Sequence, residues 1–272
     1  MELKPRIGSV GAFLVLAFVA IAALQIGHTF FPGDHALALA GRQACLVAGI
    51  VLLIVGSRWL LKRDAISVQY LGLGLDLRHG RAFLSGAAIG TAHIIALAAV
   101  LYLLLPYRIS SGSLDVQSVA LAAMGYLTGN FVEELLFRGY LLIALARWVG
   151  TTRAIWILAI PFGLFHFQGL DGMSLIKMMM TTGAMHFVYA YAFLAFRSLW
   201  SAVALHAVGN TLLHKVFGVG EPALLSLQFE HASPAGVDVP FLVFFGVTAA
   251  LAFGFTRASR TRVAVAEYQL SA

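Results

Sequence analysis

Residues 130–140 read NFVEELLFRGY, two adjacent glutamates and an arginine in an otherwise apolar stretch. On a helix, residues four apart share a face. Asn130, Glu134 and Arg138 therefore form one stripe, with Glu133 about 100° round from Glu134. Only one glutamate can sit squarely against Arg138. Glu134 is the natural partner, which leaves the Glu133 carboxylate free to point elsewhere. Further along come FGLFHF, with Phe162 and His166 four apart, and HAVGN, with His206 and Asn210 four apart. A carboxylate with imidazoles can hold and deprotonate a water, and further polar donors can face a developing oxyanion. Two histidines and a carboxylate also make a zinc donor set with an open position, although the chain contains no HExxH.

The elements that must carry these groups lie in a membrane. Hydrophobic residues make up 60% of the 272 and charged ones 11%, with a mean hydropathy of +0.89. Soluble domains carry about 25% charge, so a chain this apolar cannot cover a water-soluble globule. An all-α polytopic membrane protein is predicted, a single integral membrane domain over 1–272 with its motif-bearing core at about 117–218. Eight spans are expected near 8–30, 43–61, 82–105, 117–146, 154–169, 174–196, 199–218 and 240–257, judged against the ~20 residues that cross the hydrocarbon as helix. The fifth is short because Gly150 and the GLDG of 169–172 bracket it. The first span has a basic start like a signal peptide, but its apolar run is longer than the usual ~7–15 residues and reads as an uncleaved anchor. The YLGLGLDLRHGR segment within 62–81 alternates apolar and polar residues and reads as interfacial.

Basic residues orient the spans. Lys4, Arg6, Arg58, Lys62, Arg63, Arg78, Arg81, Arg147, Arg153, Arg197, Arg257, Arg260 and Arg262 fall on one side, and Arg42, Arg108, Lys177 and Lys215 on the other. Both termini are therefore expected in the cytoplasm, with the chain in a bacterial cytoplasmic membrane. The net charge of +6 is mostly this asymmetry; it implies contact with membrane lipid and gives no sign of nucleic acid. Cys45 is alone and reads as an apolar filler.

Charges at bilayer depth are costly, so they face the bundle interior and pair there. Counted at ~1.5 Å per residue from the basic side, Glu133 lies about 20 Å deep, His166 about 18 Å, and His206 with Asn210 about 10–17 Å. Three helices bring a carboxylate and two imidazoles to similar levels. His186, Tyr189 and Tyr191 read as packing residues, and His28, His93 and His214 have no evident partner.

In order on successive spans, EExxxR (Glu133, Glu134, Arg138), FxxxH (Phe162, His166) and HxxxN (His206, Asn210) resemble the CPBP intramembrane proteases, also called the ABI family, which includes the type II CAAX prenyl endopeptidases. The resemblance implies an endopeptidase acting on a membrane-associated or lipidated peptide or protein. Glu133 and His166 would hold and deprotonate water, His206 and Asn210 would face the oxyanion, and Glu134 with Arg138 would fix the helix. It leaves the cofactor open. The family is often labelled metalloprotease, and a divalent metal such as zinc, if present, would be held by Glu133, His166 and His206, yet the same residues can activate water directly. A proton-coupled transporter or a non-catalytic scaffold would use similar buried groups, but no repeated halves are visible and no motif member is missing.

Overall fold

The computed structural model describes residues 7–32, 36–166, 172–218, 222–230 and 237–271. Lys4, Arg6, Glu221 and most of the 169–172 turn lie outside the described residues, as do the side chains of His28, Arg260 and Arg262. The helices are α1 (Ile7–Phe30), α2 (Ala36–Arg63), α3 (Leu77–Leu104), α4 (Val116–Leu136), α5 (Leu142–Val149), α6 (Thr151–Phe165), α7 (Gly172–Phe196), α8 (Leu199–Thr211) and α9 (Val239–Ser271). Among the described residues, five are long and apolar enough to cross a membrane: those at Ile7–Gly27, Ala36–Arg63, Leu77–Leu104, Gly172–Phe196 and Val239–Ala258. The other expected spans correspond to α4 with α5, to the shorter α6, and to α8 with the π turn at Leu212–Val216. Large apolar side chains such as Phe18, Leu84, Ile95, Trp156 and Phe253 point outward, as lipid-facing helices require. The chain is an integral membrane protein of all-α class.

Small residues let these helices meet. α3 carries Gly86 and Gly90 one turn apart, and α8 lies directly against them. A Cβ at Gly86 would stand 2.1 Å from the Ser201 carbonyl oxygen, and one at Gly90 2.7 Å from that of Leu205. Without a hydrophobic drive between helices in lipid, such backbone approach supplies the packing. It fixes the helix that carries His206.

The expected span at 117–146 does not run as one regular helix. α4 starts on Asp115, whose carboxylate accepts the Ser118 N–H at 2.7 Å, a standard N-cap. After Leu136 a π turn at Phe137–Leu141 intervenes, with Gly139 outside helical geometry at ψ −124°. Short π segments of this kind redirect side chains inside a helix. The turn is buried and tied down: Tyr140 donates to Asp64 Oδ2 at 2.6 Å and Ser9 to Asp64 Oδ1 at 2.7 Å. One buried carboxylate thus joins α1, the end of α2 and the turn that carries Arg138.

Two regions between the helices are structured. The 62–81 segment forms a 3-10 turn at Val68–Leu71 with Ile66 and Leu71 buried, and it docks on the α7–α8 corner. Leu199 N–H donates to Gly72 O at 3.1 Å and Trp200 Nε1 to Gly74 O at 3.0 Å. On the opposite side, the loops after α3 and α8 form a small sheet of order β1-β3-β2: β1 (Tyr107–Ser111), β2 (Phe217–Gly218) and β3 (Leu225–Phe229). β1 and β3 pair antiparallel with Tyr107 opposite Phe229, and Arg108 donates to Glu230 at 2.8 Å beside it.

Candidate active site

Glu133 and Glu134 separate as their helix positions require. Glu134 is fully buried and faces Arg138, also fully buried, whose Nη1 donates to Glu134 Oε1 at 3.3 Å. Glu133 is 23% exposed and turns toward His166, with Oε2 3.4 Å from Nε2. Glu133 Oε2 accepts no hydrogen bond among the described residues although that atom is buried.

His166 stands at the C-cap of α6, just past its last residue, rather than inside a span. Its Nδ1 lies 2.9 Å from the Phe162 carbonyl oxygen. A carbonyl only accepts, so Nδ1 carries the proton and the Nε2 of a neutral ring offers its lone pair to the centre. His206, on α8, is set the same way by a different acceptor: its Nδ1 lies 2.8 Å from Glu134 Oε1. Glu134 therefore binds Arg138 and His206 through one oxygen, a link the sequence does not reveal. The Nε2 of His206 is left for the centre.

One atom each of Glu133, His166 and His206 lies within 4.8 Å of the other two. With both Nδ1 atoms protonated, the groups facing one another are lone pairs. Such a centre is completed by something that donates hydrogens or accepts electron pairs, a water or a cation. Zinc bonds of about 2.0–2.1 Å in a tetrahedron would hold ligand atoms roughly 3.3 Å apart. The His166–Glu133 separation meets that spacing, and the tied-back Nδ1 atoms are the outer contacts that orient metal-binding imidazoles. The three residues fit a divalent metal.

Aromatic rings hold the set in place. Phe162 packs between the charged groups: the Arg138 guanidinium carbon lies 4.3 Å from its ring centre, and it touches the His166 ring at 4.9 Å. Tyr189 stacks on His206 at 4.2 Å. His186, read from the sequence as packing, stands against Arg138, whose Nη2 donates to His186 O at 3.1 Å and approaches its Nδ1 at 2.8 Å. His93 also has a partner, Thr248 Oγ1 at 3.0 Å. Asn210 meets Asn130 across the α4–α8 contact, Nδ2 to Oδ1 at 3.5 Å. Asn130 Nδ2 is buried without a hydrogen-bond partner among the described residues, so two amides sit together beside the Glu134–His206 pair.

Fold and site together define a polytopic membrane protein with a buried glutamate–histidine centre. Residues 115–212 match the family model described as Type II CAAX prenyl endopeptidase Rce1-like. That segment carries every motif residue named above and agrees with the CPBP resemblance. Over that segment the chain is similar to CAAX-type prenyl endopeptidases. A comparison with curated proteins finds no match.

Proposed function

We propose that the centre hydrolyses a peptide bond of a membrane-associated, prenylated protein or peptide, with Glu133 as the base. The observation that carries this reading is the convergence of Glu133, His166 and His206 within 4.8 Å, with both Nδ1 atoms tied away from it. A water facing both Glu133 Oε2 and His166 Nε2 loses a proton to the carboxylate as its oxygen bonds to the scissile carbonyl carbon. The proton then passes to the amide nitrogen as the C–N bond breaks, giving an amine and a carboxylic acid, which releases its own proton to solvent. Asn210, with Asn130, supplies N–H donors toward the oxyanion. His206 is less suited to that task than its motif position implies, because its Nε2 donates only when the ring carries a second proton. A divalent metal such as zinc, held by Glu133, His166 and His206, would when bound polarise the carbonyl and acidify the water. Glu134 and Arg138 hold His206 and the π turn in place.

The basic bias favours both termini in the cytoplasm, with the whole chain one membrane-embedded unit of a bacterial cytoplasmic membrane. The test is cleavage of a prenylated peptide by the purified full-length protein. Glu133→Gln, His166→Ala and His206→Ala should each lower the rate on the order of 100-fold or more while membrane insertion persists. Full activity in His166→Ala would refute the assigned water site. Loss of cleavage on chelation, restored by one divalent ion, would assign the metal.

A further inference from the structure

Past the π turn, the ends of α2, α5 and α7 and the start of α3 enclose a cavity of about 910 Å³. Its wall is apolar, with Leu71, Leu142, Ile143 and Phe193 among the lining residues, and its rim carries Arg58, Arg78 and Arg197. The three arginines are exposed, and their side chains form no ion pair among the described residues. The acidic lining residue Asp76 is engaged: its carboxylate caps α3 by accepting the His79 N–H at 3.0 Å and lies 2.9 Å from the His79 ring nitrogen. Net positive charge is thus gathered at one end of the bundle, above an apolar wall.

The cavity is built into the fold. Gly72 has φ +61°, and a Cβ there would stand 2.6 Å from Ser198 Cα, so the 67–74 segment is clamped to the corner that follows Arg197. Arg197 itself holds φ +47°, where glycine is the relaxed choice.

We propose that this cavity binds an anionic phospholipid, its phosphate among Arg58, Arg78 and Arg197 and the first methylenes of an acyl chain along Leu142, Ile143 and Phe193. Guanidinium groups suit phosphate oxygens, and basic pockets between spans at a membrane surface recognise such headgroups. An inorganic anion would satisfy the rim and leave the apolar wall unfilled. The inference is independent of the catalytic reading, since neither Glu133 nor a histidine of the centre lines the cavity.

The experiment measures lipid retained by the purified full chain, by native mass spectrometry, after equilibration with vesicles of phosphatidylcholine with or without phosphatidylglycerol. The wild type should retain phosphatidylglycerol in preference to phosphatidylcholine. At about 1 kcal/mol per basic residue near the surface, the triple variant Arg58→Gln, Arg78→Gln, Arg197→Gln should lose about a hundredfold in that preference. The control Lys62→Gln, Arg81→Gln, Arg153→Gln removes the same charge from the same end but outside the lining and should keep it. Arg197→Gly relaxes the backbone, so it should fold at least as well as the wild type and still bind phosphatidylglycerol several-fold more weakly. Equal loss in the control would overturn the site in favour of bulk surface charge. Displacement of the lipid by inorganic phosphate, or equal retention of the two lipids, would overturn the phospholipid as its occupant.

Discussion

Replacing each glutamate by glutamine separates the two roles assigned to the pair. Glu134 meets Arg138 at 3.3 Å and His206 at 2.8 Å through the same oxygen, so a glutamine oxygen can take up both bonds and only the charge is lost. Hydrogen bonds to charged groups are worth about 1.5–3 kcal/mol and neutral ones about 0.5–1.5, so the His206 bond, neutral on both sides in the variant, loses roughly 1–1.5 kcal/mol, while the Arg138 bond keeps one charged partner. Arg138 is also left fully buried without a counter-charge. Its contacts to His186 O and the Phe162 ring soften that penalty, and the total falls in the range of about 3–5 kcal/mol seen when one member of a buried pair is removed. At roughly 2–4 °C per kcal/mol, the thermal midpoint in detergent should fall on the order of 10 °C. Glu133→Gln should behave otherwise. Its carboxylate is partly exposed and has no buried cation bound to it, so the midpoint should stay within about 2–3 °C of wild type, the shift expected for ~1 kcal/mol, while cleavage of the prenylated peptide is lost. Combining Glu134→Gln with Arg138→Met should recover part of the lost stability. A stable, inactive Glu134→Gln beside an unstable Glu133→Gln would refute the assignment and make Glu134 the base.

Tyr140→Phe removes a donor to the buried Asp64 carboxylate and should cost about 1–3 kcal/mol, read as a lower midpoint in the same melts. Gly86→Leu drives a side chain into the Ser201 carbonyl and should pry α3 from α8, lowering folded yield and cleavage together; unchanged yield would show that the helices meet elsewhere. Asp115 lies outside the lipid, and the Ser118 N–H it accepts holds its carboxyl below the ordinary range. The cap therefore contributes fully above the ordinary carboxylate pKa and fades as pH falls through the lowered folded value. The stability gap between wild type and Asp115→Ala should accordingly close in acid and stay open at neutral pH.

Helical spacing made part of the centre legible. The four-residue interval fixed the Glu134–Arg138 pair and turned Glu133 away from it, and the structure has both features. The FxxxH interval also held, although His166 proved to cap α6 rather than to sit within it. Periodicity gives the face of a helix and not the neighbour that face meets. His186 reaches Arg138 across 48 residues and His206 reaches Glu134 across 72, contacts that only packing creates. Long apolar runs mark α2 and α3 by hydropathy, whereas α4 and α8 are shorter helices that carry buried polar groups. The π turn left no signal, because a lone Gly139 in an apolar run is compatible with ordinary helix. The sheet was missed because YRISS and LSLQF are five-residue strands in polar loops, paired across more than a hundred positions of chain.

The bonds hidden from the sequence also favour hydrolysis over transport for these groups. A proton-coupled carrier alternates between states, and its ionisable groups exchange partners as halves rock against one another. Here His206 and Arg138 share one oxygen of a fully buried carboxylate. Phe162 and Tyr189 lie against them, and the π turn that bears Arg138 is anchored through Tyr140 and Asp64 to α1 and α2. Moving His206 would break its bond to a fully buried carboxylate. A rigid set of this kind costs little reorganisation when charge develops at a reacting carbonyl, which is where preorganised donors and bases are worth most. The Glu133 carboxylate is partly exposed and its Oε2 accepts no hydrogen bond among the described residues, which suits the proton-accepting role proposed for it.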